Sequence, residues 1–205
     1  YDDRMMIGEI YLPIQKLVAY YGVDLKGAHL PFNFQLITLP WDATRISSAL
    51  IAYEAALPPQ GWPNWVLSNH DKPRIVSRVG TDQAAVAAML LFTMRGTITL
   101  YYGDEIGMRD VAIPLEKMVD PRGRNMPDKN LGRDPHRSPM QWDKSINAGF
   151  TSGKPWLPVD RLYSKFNVEA QRGDPHSLLS LHRRLITLRE RQRAFIIEQF
   201  VPLYA

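Results

Sequence analysis

Short apolar runs alternate with longer amphipathic segments along the first half of the chain. The short runs are rich in β-branched or aromatic residues, which is typical of strands, and they cover positions 4–10, 32–36, 65–67 and 97–102. The longer segments end at glycine or proline, which is typical of helices, and they cover positions 14–21, 44–57 and 81–94. This alternation, with connections of a few residues, predicts right-handed βαβ units and a parallel sheet.

A polar cluster follows the third strand-like run directly. Asn69, His70 and Asp71 come after the apolar run 65–67, and Pro73 prevents a simple continuation of the strand. Because α/β folds carry their chemistry at the carboxyl ends of parallel strands, these three residues are candidates for function. A polar turn without chemistry is the alternative, since Asn and Asp favour turns in any case. The cluster alone leaves both interpretations open.

The pattern changes after position 106. The segment 107–172 has no regular periodicity and contains prolines at positions 114, 121, 127, 135, 139, 155 and 158. A long irregular segment inside a compact domain is typically either functional or disordered. Its aromatic residues, among them Trp142 and Trp156, favour a packed segment over a disordered one.

The chain closes with a predicted helix and predicted strands. Asp174 and Pro175 predict the start of the helix, because aspartate is a good N-cap and proline fits the first helical position. The apolar residues of this helix share one face, at Leu178, Leu181, Leu185 and Leu188. The segment 195–204 then predicts one or two strands.

Length and composition exclude several classes of protein. The 205 residues suffice for one good core or two small ones, and 45% hydrophobic with 22% charged residues is ordinary for a globular domain. The longest apolar run, 84–92, is far too short to span a bilayer, and no signal peptide is recognisable. The chain has no cysteine, so disulfides and thiolate metal sites are excluded and no oxidising compartment is required. We expect a cytoplasmic protein without a membrane partner.

The net charge of +4 is modest, and its densest part lies on the predicted last helix. The basic residues there are Arg183, Arg184, Arg189, Arg191 and Arg193. We interpret them as a solvated helix face rather than a nucleic-acid-binding patch, because no interleaved aromatic residues accompany them. The histidines lack metal-ligand spacing, so the sequence predicts no metal site and no cofactor.

Four motifs resemble one family. The stretches 8–13 (Gly-Glu-Ile-Tyr-Leu-Pro), 68–71 (Ser-Asn-His-Asp) and 101–108 (Tyr-Tyr-Gly-Asp-Glu-Ile-Gly-Met) have the order and spacing of the α-amylase superfamily, glycoside hydrolase family 13. The stretch 132–143 (Gly-Arg-Asp-Pro-His-Arg-Ser-Pro-Met-Gln-Trp-Asp), followed by Asn-Ala-Gly-Phe at 147–150, resembles its α-glucosidase and oligo-1,6-glucosidase branch. That branch also includes isomaltulose-forming and other transglucosylating enzymes.

The resemblance implies an α/β fold, the second half of a (β/α)8 TIM barrel. A whole barrel takes about 250 residues, so we expect this chain to be a carboxyl-terminal fragment. Barrel strands five to eight with their helices would occupy 1–106, and a loop-rich insertion after the eighth strand would occupy 107–173. The last barrel helix would cover 174–193, and 194–205 would begin a C-terminal β domain.

The resemblance also implies roles for four residues. Glu9 resembles the general acid/base at the end of the fifth strand. Asp71 resembles the third acidic residue, which holds ring hydroxyls next to the scissile carbon, and His70 resembles its hydrogen-bonding neighbour on the same sugar. Arg137 resembles the arginine that holds the terminal glucose. Bracing of the loop through Asp134 or Asp143 is the alternative for this arginine.

These residue types suit retaining glycoside hydrolysis. That reaction needs one carboxylate as nucleophile and a carboxylic acid about 5–5.5 Å away to protonate the leaving oxygen. A third carboxylate attracts the sugar ring more strongly as positive charge develops on the ring, so it stabilises the transition state more than the ground state. A bound sugar also needs aromatic surfaces, for which Tyr102, Trp65 and Trp142 are candidates, although Trp65 is more typical of a core.

The nucleophile expected from the resemblance is missing. In the family it lies a few tens of residues before the acid/base, whereas only eight residues precede Glu9. Asp2 and Asp3 lack the family's Gly-Phe-Arg-x-Asp setting, so neither is assigned. We expect an α-glucosidase that releases glucose from a small oligosaccharide or disaccharide, with this chain inactive alone. The alternatives are a transglucosylase or glucoside isomerase on the same scaffold, or a non-catalytic barrel subunit.

Overall fold

A parallel sheet is the framework of the first of two compact units, which comprises Tyr1–Leu67, Met89–Thr99 and Ile186–Ala205. The computed structural model describes residues 3–129, 131–198 and 201. Within these residues the sheet has four strands, in the spatial order β1 (Ile7–Gly8), β2 (Leu30–Asn33), β3 (Asn64–Val66) and β4 (Thr97–Thr99). Each neighbouring pair is parallel, as the alternating pattern predicts.

Short helices connect and follow these strands. The α-helices of the described chain are α1 (Ile14–Val18), α2 (Gln35–Thr38), α3 (Ala43–Ala56), α4 (Ile75–Val79), α5 (Ala84–Thr93), α6 (Pro121–Asn125), α7 (Val168–Arg172), α8 (Leu178–Arg191) and α9 (Ala194–Ile197). The 3-10 helices are Ala19–Tyr21, Val23–Leu25, Thr81–Gln83, Asp104–Ile106, Leu115–Lys117, Pro127–Lys129, Asp134–Arg137 and Ile146–Gly149. None of the described helices is long and apolar enough to cross a membrane.

The core of the first unit is built on β2 and β3. Phe34 and Ile37 pack with Val66, and Phe32 covers them from one side. Trp65 is fully buried, and its indole Nε1 donates a 2.8 Å hydrogen bond to the carbonyl oxygen of Arg95. This tryptophan is therefore part of the core, and its candidacy as a sugar platform is wrong.

The predicted strand 32–36 is half correct. The strand β2 ends at Asn33, and α2 begins at Gln35. The side-chain Oδ1 of Asn33 accepts a 3.0 Å hydrogen bond from the backbone N–H of Gln35. This local bond turns the chain out of the strand, because an asparagine side chain offers the backbone an alternative to the sheet ladder.

The last long helix starts later than the sequence predicts. Asp174 accepts a hydrogen bond from the backbone N–H of His176, which forms a turn before the helix. The first turn of α8 is capped instead by Ser177, whose Oγ accepts a 3.1 Å bond from the N–H of Ser180. The predicted apolar face is also incomplete, since Leu188 is exposed.

Arg189 overturns part of the predicted solvated basic face. It is buried, and its guanidinium donates to the carbonyl oxygens of Phe92, Met94, Gly96 and Phe195. The carbonyls in the last turn of α5 have no partner within their own helix, so a buried arginine can satisfy several of them at once. The remaining arginines of the predicted face, at 183, 184, 191 and 193, are exposed.

The strand prediction for 195–204 is wrong where the structure describes it. Residues Ala194–Ile197 form α9, and Val201 belongs to no strand. Residues 199, 200 and 202–205 lie outside the described residues, so the expected C-terminal β domain stays a prediction.

The second unit comprises Ser68–Ala88 and Leu100–Leu185 and contains the irregular segment. Ile106, Met108, Met140, Val168 and Leu179 form its buried apolar cluster. Since three of these residues come from 107–172, that segment is packed, as its aromatic content favours. Gly103 adopts φ +84°, and an added Cβ there would collide with the side chain of Met108. This turn therefore requires glycine.

Candidate active site

The Asn-His-Asp cluster forms a tight turn at the start of the second unit. The side-chain Oδ1 of Asn69 accepts a 3.0 Å hydrogen bond from the backbone N–H of Asp71, and Asn69 forms an isolated antiparallel bridge with Lys72. The buried Oγ of Ser68 accepts a 2.8 Å bond from the N–H of Ile75 at the start of α4. The structure therefore contains the polar turn, and this turn presents the side chains of His70 and Asp71 at the surface.

Asp71 and Arg137 form a hydrogen-bonded ion pair. The guanidinium Nη2 of Arg137 lies 2.9 Å from Oδ1 of Asp71, and its Nε donates a 2.9 Å bond to the carbonyl oxygen of His70. The His70 ring Nε2 lies 3.4 Å from the same carboxylate oxygen. Within the second unit the structure therefore brings the predicted site residues His70, Asp71 and Arg137 together.

The bracing partners expected for Arg137 are engaged elsewhere. Asp134 accepts hydrogen bonds from the backbone N–H groups of Val119 and Asp120. Asp143 accepts bonds from the N–H and the hydroxyl of Ser145. These two carboxylates fix their own loops, and the hydrogen bonds of Arg137 go instead to Asp71 and to the carbonyl oxygen of His70.

A second arginine, for which no role was predicted, also reaches Asp71. Nη1 of Arg133 lies 3.3 Å from Oδ1 of Asp71, while its Nε and Nη2 hold the carboxylate of Asp120 at 3.0 and 2.8 Å. The hydrogen bond from Arg133 holds the pKa of Asp120 far below its usual range. Arg133 lies inside the quoted motif 132–143, but no spacing within that motif indicates its partners.

Two tyrosines after β4 hold the turn that carries Arg137. The hydroxyl of Tyr101 donates a 3.0 Å bond to the carbonyl oxygen of His136, and the hydroxyl of Tyr102 donates a 2.6 Å bond to that of Ser138. These bonds fix the backbone on both sides of Arg137. Burial raises the pKa of Tyr101, so this hydroxyl remains a donor at neutral pH.

A fully buried arginine underlies the two tyrosines. The guanidinium carbon of Arg74 lies 4.8 Å from the ring centre of Tyr101 and 4.6 Å from that of Tyr102. Its Nη1 donates a 2.6 Å bond to the carbonyl oxygen of Tyr102 and lies 3.9 Å from Oδ1 of Asp104. Burial raises the pKa of Asp104 to about 7, although Arg74 and a hydrogen bond to Ser68 act in the opposite direction.

Arg137 and His70 line a cavity of about 670 Å³. The other lining residues are Tyr101, Tyr102, Glu105, Pro139, Met140, Trp142, Phe150 and Trp156. Four aromatic side chains of this lining remain open to solvent, with exposed fractions of 37% for Tyr102, 49% for Trp142, 39% for Phe150 and 66% for Trp156. Exposed aromatic faces beside a charged pair are suited to binding a ligand with both polar and apolar surfaces.

The aromatic wall is held by an unusual turn. Asn147 and Ala148 adopt φ values of 57° and 58°, and Gly149 adopts 68°. Non-glycine residues rarely take such values, so the turn needs support from outside it. Asn147 Nδ2 donates to the carbonyl oxygens of Thr151 and Gly153, and the carbonyl of Ala148 accepts from two backbone N–H groups. Phe150 follows this turn.

Glu9 belongs to the other unit. It follows β1 directly, as predicted, and its side chain is exposed.

The comparisons with known proteins decide the family. The model of the alpha-amylase catalytic domain matches residues 1–198. The chain belongs to the alpha-amylase family. The family predicted from the four motifs is therefore confirmed. The fold of that domain is a TIM barrel, with a parallel sheet and helices.

Alpha-glucosidases are among the relatives of this alpha-amylase family chain. It is 37% identical over 197 residues to Maltase A1 of Drosophila melanogaster, covering 92% of this chain and 34% of that protein. It is also 37% identical over 224 residues to oligo-1,6-glucosidase of Parageobacillus thermoglucosidasius, covering 92% and 40%. The chain thus spans about a third to two-fifths of the length of these curated relatives.

Solved structures of the same family are similar throughout the chain. The alpha-glucosyl transfer enzyme XgtA aligns with a TM-score of 0.85 and 33% identity, covering 93% of this chain and 36% of that one. A mutant of isomaltulose synthase from Erwinia rhapontici NX5, in complex with its natural substrate sucrose, aligns with a TM-score of 0.84 and 27% identity. That match covers 95% of this chain and 41% of the synthase.

Proposed function

We propose that this chain is the carboxyl-terminal part of a retaining α-glucosidase that releases glucose from short α-glucosides such as maltose or isomaltose. The observation that carries the proposal is the Asp71 carboxylate, held by Arg137 beside a cavity with exposed aromatic side chains. The named activities of the relatives, maltase and oligo-1,6-glucosidase, support the same substrate class.

In this proposal the sheet is half of a barrel. The strands β1 to β4 are barrel strands five to eight, and the segment 107–173 is the insertion after the eighth. The strand β1 lies at one edge of the described sheet, where Met5, Met6 and Ile7 are all exposed. An exposed apolar strand edge is a pairing and aggregation hazard. A preceding barrel strand would cover it, and the chain expressed alone should be poorly soluble.

The proposed chemistry needs three carboxyl groups, of which this chain supplies two. Glu9 protonates the leaving glycosidic oxygen and later activates water, while an aspartate upstream of this chain forms the covalent intermediate. Asp71 binds ring hydroxyls next to the scissile carbon and favours the positively charged transition state. Without the nucleophile the 205-residue chain hydrolyses nothing by itself.

The remaining residues bind the sugar. Arg137 and His70 line the cavity, and in this proposal they donate hydrogen bonds to sugar hydroxyls, which fixes the substrate in a reactive pose. Tyr102, Trp142 and Trp156 offer flat apolar surfaces to the sugar rings. A charged pair at one end of an aromatic cavity therefore supports binding of a short α-glucoside.

The proposal is tested by replacing the two carboxyl groups in the full-length enzyme. Glu9→Gln and Asp71→Asn should each lower kcat on maltose by about 10²- to 10⁴-fold, the range for loss of acid/base or electrostatic catalysis. Glu169→Gln, which alters an exposed carboxyl in α7, is the matched control and should leave kcat unchanged. Near-full activity of either site variant would remove that residue from the proposed machinery.

A transglucosylase or glucoside isomerase is a second candidate. This candidate is supported by the similarity to the alpha-glucosyl transfer enzyme and to isomaltulose synthase, with TM-scores of 0.85 and 0.84. In such an enzyme a sugar, rather than water, accepts the glucosyl group. Analysis of the products formed from concentrated maltose and from sucrose separates the two, because hydrolysis yields free monosaccharides and transfer yields new glucosides.

A further inference from the structure

The guanidinium of Arg133 joins two carboxylates that lie far apart in the sequence. Its Nε and Nη2 contact the two oxygens of Asp120 at 3.0 and 2.8 Å, and its Nη1 lies 3.3 Å from Oδ1 of Asp71. A guanidinium is planar and carries its donors in a fixed fork, so a two-point contact on one edge fixes the direction of the third nitrogen.

Asp120 is a firm anchor for this arginine. Its side chain is completely buried, and it also accepts hydrogen bonds from the backbone N–H groups of Arg133 and Arg122. The Arg122 bond makes Asp120 the N-cap of α6. Because four donors hold this carboxylate, it has little freedom to rotate, and neither has the guanidinium that it binds.

Both arginines meet the same oxygen of Asp71. Arg137 lies 2.9 Å and Arg133 3.3 Å from Oδ1, and the ring Nε2 of His70 lies 3.4 Å from it. Donors converging on one oxygen fix the rotation of the carboxylate about its side-chain bond. None of these contacts involves the other oxygen, Oδ2, so that oxygen is not engaged by the two arginines or by His70.

We propose that Arg133, anchored by Asp120, is a positioning residue that orients Asp71 for the charged transition state. This inference rests on the proposed function, because it assigns a task to the carboxylate that would bind the sugar. Arg133 acts through Asp71 and not on the substrate itself. A carboxylate oriented before the reaction needs no reorganisation as charge develops, so the contribution of Arg133 falls on kcat more than on KM.

Bracing of the loop is the competing role for Arg133. The Asp120 contact alone would hold the segment 120–133 together, and its loss would lower stability without any specific effect on Asp71. The two roles differ in whether the effect of Arg133 depends on the Asp71 carboxylate. A double-mutant cycle measures this dependence directly.

The experiment uses the full-length enzyme and maltose as substrate. Arg133→Lys keeps a positive charge, but a single ammonium group cannot bind both oxygens of Asp120 and contact Asp71 at the same time. We therefore expect kcat to fall about 10- to 100-fold, the equivalent of one charge-assisted hydrogen bond. KM should change by less than about threefold, because ground-state binding depends on Arg137 and the cavity. Arg124→Lys, at an exposed position in α6, is the matched control and should match the wild type.

The cycle adds Arg133→Ala, Asp71→Asn and the double variant, each with its melting temperature. If Arg133 acts through Asp71, the double variant is no slower than Asp71→Asn alone, even where Arg133→Ala lowers stability. Multiplicative losses in kcat, or an Arg133→Lys enzyme as fast as the wild type, overturn the positioning role while leaving the function intact. An inactive wild type, or a fully active Asp71→Asn enzyme, overturns the proposed function and this inference together.

Discussion

Nη2 of Arg137 donates a 2.9 Å hydrogen bond to Oδ1 of Asp71, a residue 66 positions earlier in the chain. The bond joins the irregular segment that follows β4 to the turn that follows β3. Nε of the same guanidinium bonds the carbonyl oxygen of His70. Arg137 therefore links the loop and the turn through two separate groups, so the loop is fixed to the turn rather than solvated.

Replacing Arg137 by lysine should impair catalysis although the charge is kept. A lysine ammonium lacks the planar fork of donors, so it cannot bond the Asp71 carboxylate and the carbonyl oxygen of His70 together as the guanidinium does. We expect kcat/KM on maltose to fall about 10- to 100-fold in Arg137→Lys, in line with the loss of one hydrogen bond to a charged group. Steady-state kinetics of the full-length enzyme, with exposed Arg161→Lys as control, tests this. Unchanged kinetics would mean that Arg137 does not contribute to the site.

Removing an exposed aromatic wall residue should weaken substrate binding. Trp156→Ala removes the most exposed of the four exposed aromatic side chains that line the cavity. We therefore expect KM for maltose to rise about 5- to 30-fold, the equivalent of about 1–2 kcal/mol of lost aromatic contact. Ile146→Ala is the control, since Ile146 is 80% exposed and does not line the cavity. A KM equal to that of the wild type would place the sugar elsewhere.

Burial of Asp104 should make stability depend on pH. Its pKa is raised in the folded protein from 3.8 to about 7, so the folded state holds this proton more tightly than the unfolded chain does. The contribution of this carboxyl to the free energy of unfolding is then greatest below about pH 4. It falls as the pH rises towards 7 and stays lower above that. In Asp104→Asn no proton can be lost at this position, so its melting temperature relative to the wild type should rise between pH 4 and 7.

The comparison between the two proteins cancels the other titrating groups. The attraction of Arg74, 3.9 Å away, for the ionised Asp104 is one of the influences on the raised pKa, so it adds no separate slope to the difference between the two curves. Parallel curves of melting temperature against pH for the wild type and Asp104→Asn would contradict the raised pKa of this carboxyl.

Local patterns were enough to predict the regular part of the fold. Short β-branched runs and glycine or proline stops correctly predicted the four strands and the helices α1, α3 and α5 between them, because these signals act within a few residues, but they missed the short helices α2 and α4. The predictions failed where a single side chain decides the local structure. Asn33 ends a strand with one hydrogen bond, and Ser177 caps a helix in place of Asp174. Such competition between neighbouring caps is invisible in a hydrophobicity pattern.

The site was predictable only in part, for a similar reason. The motifs indicated Asp71 and Arg137, and the structure places them in contact. Arg133, Asp120 and the buried Arg74 were missed, because their partners lie in other parts of the chain and no spacing rule connects them. Contacts of that kind depend on the path of the irregular segment, which the sequence pattern does not fix.

The most direct test of the account is the configuration of the glucose that the full-length enzyme first releases from p-nitrophenyl α-D-glucopyranoside, a substrate whose leaving group is not a sugar. Proton NMR during the first minutes of the reaction distinguishes α- from β-glucose before mutarotation mixes them. A retaining mechanism with Glu9 as acid/base and an upstream nucleophile predicts α-glucose as the first product. Release of β-glucose would indicate inversion through a single displacement, and it would contradict the roles assigned to Glu9 and to the missing aspartate.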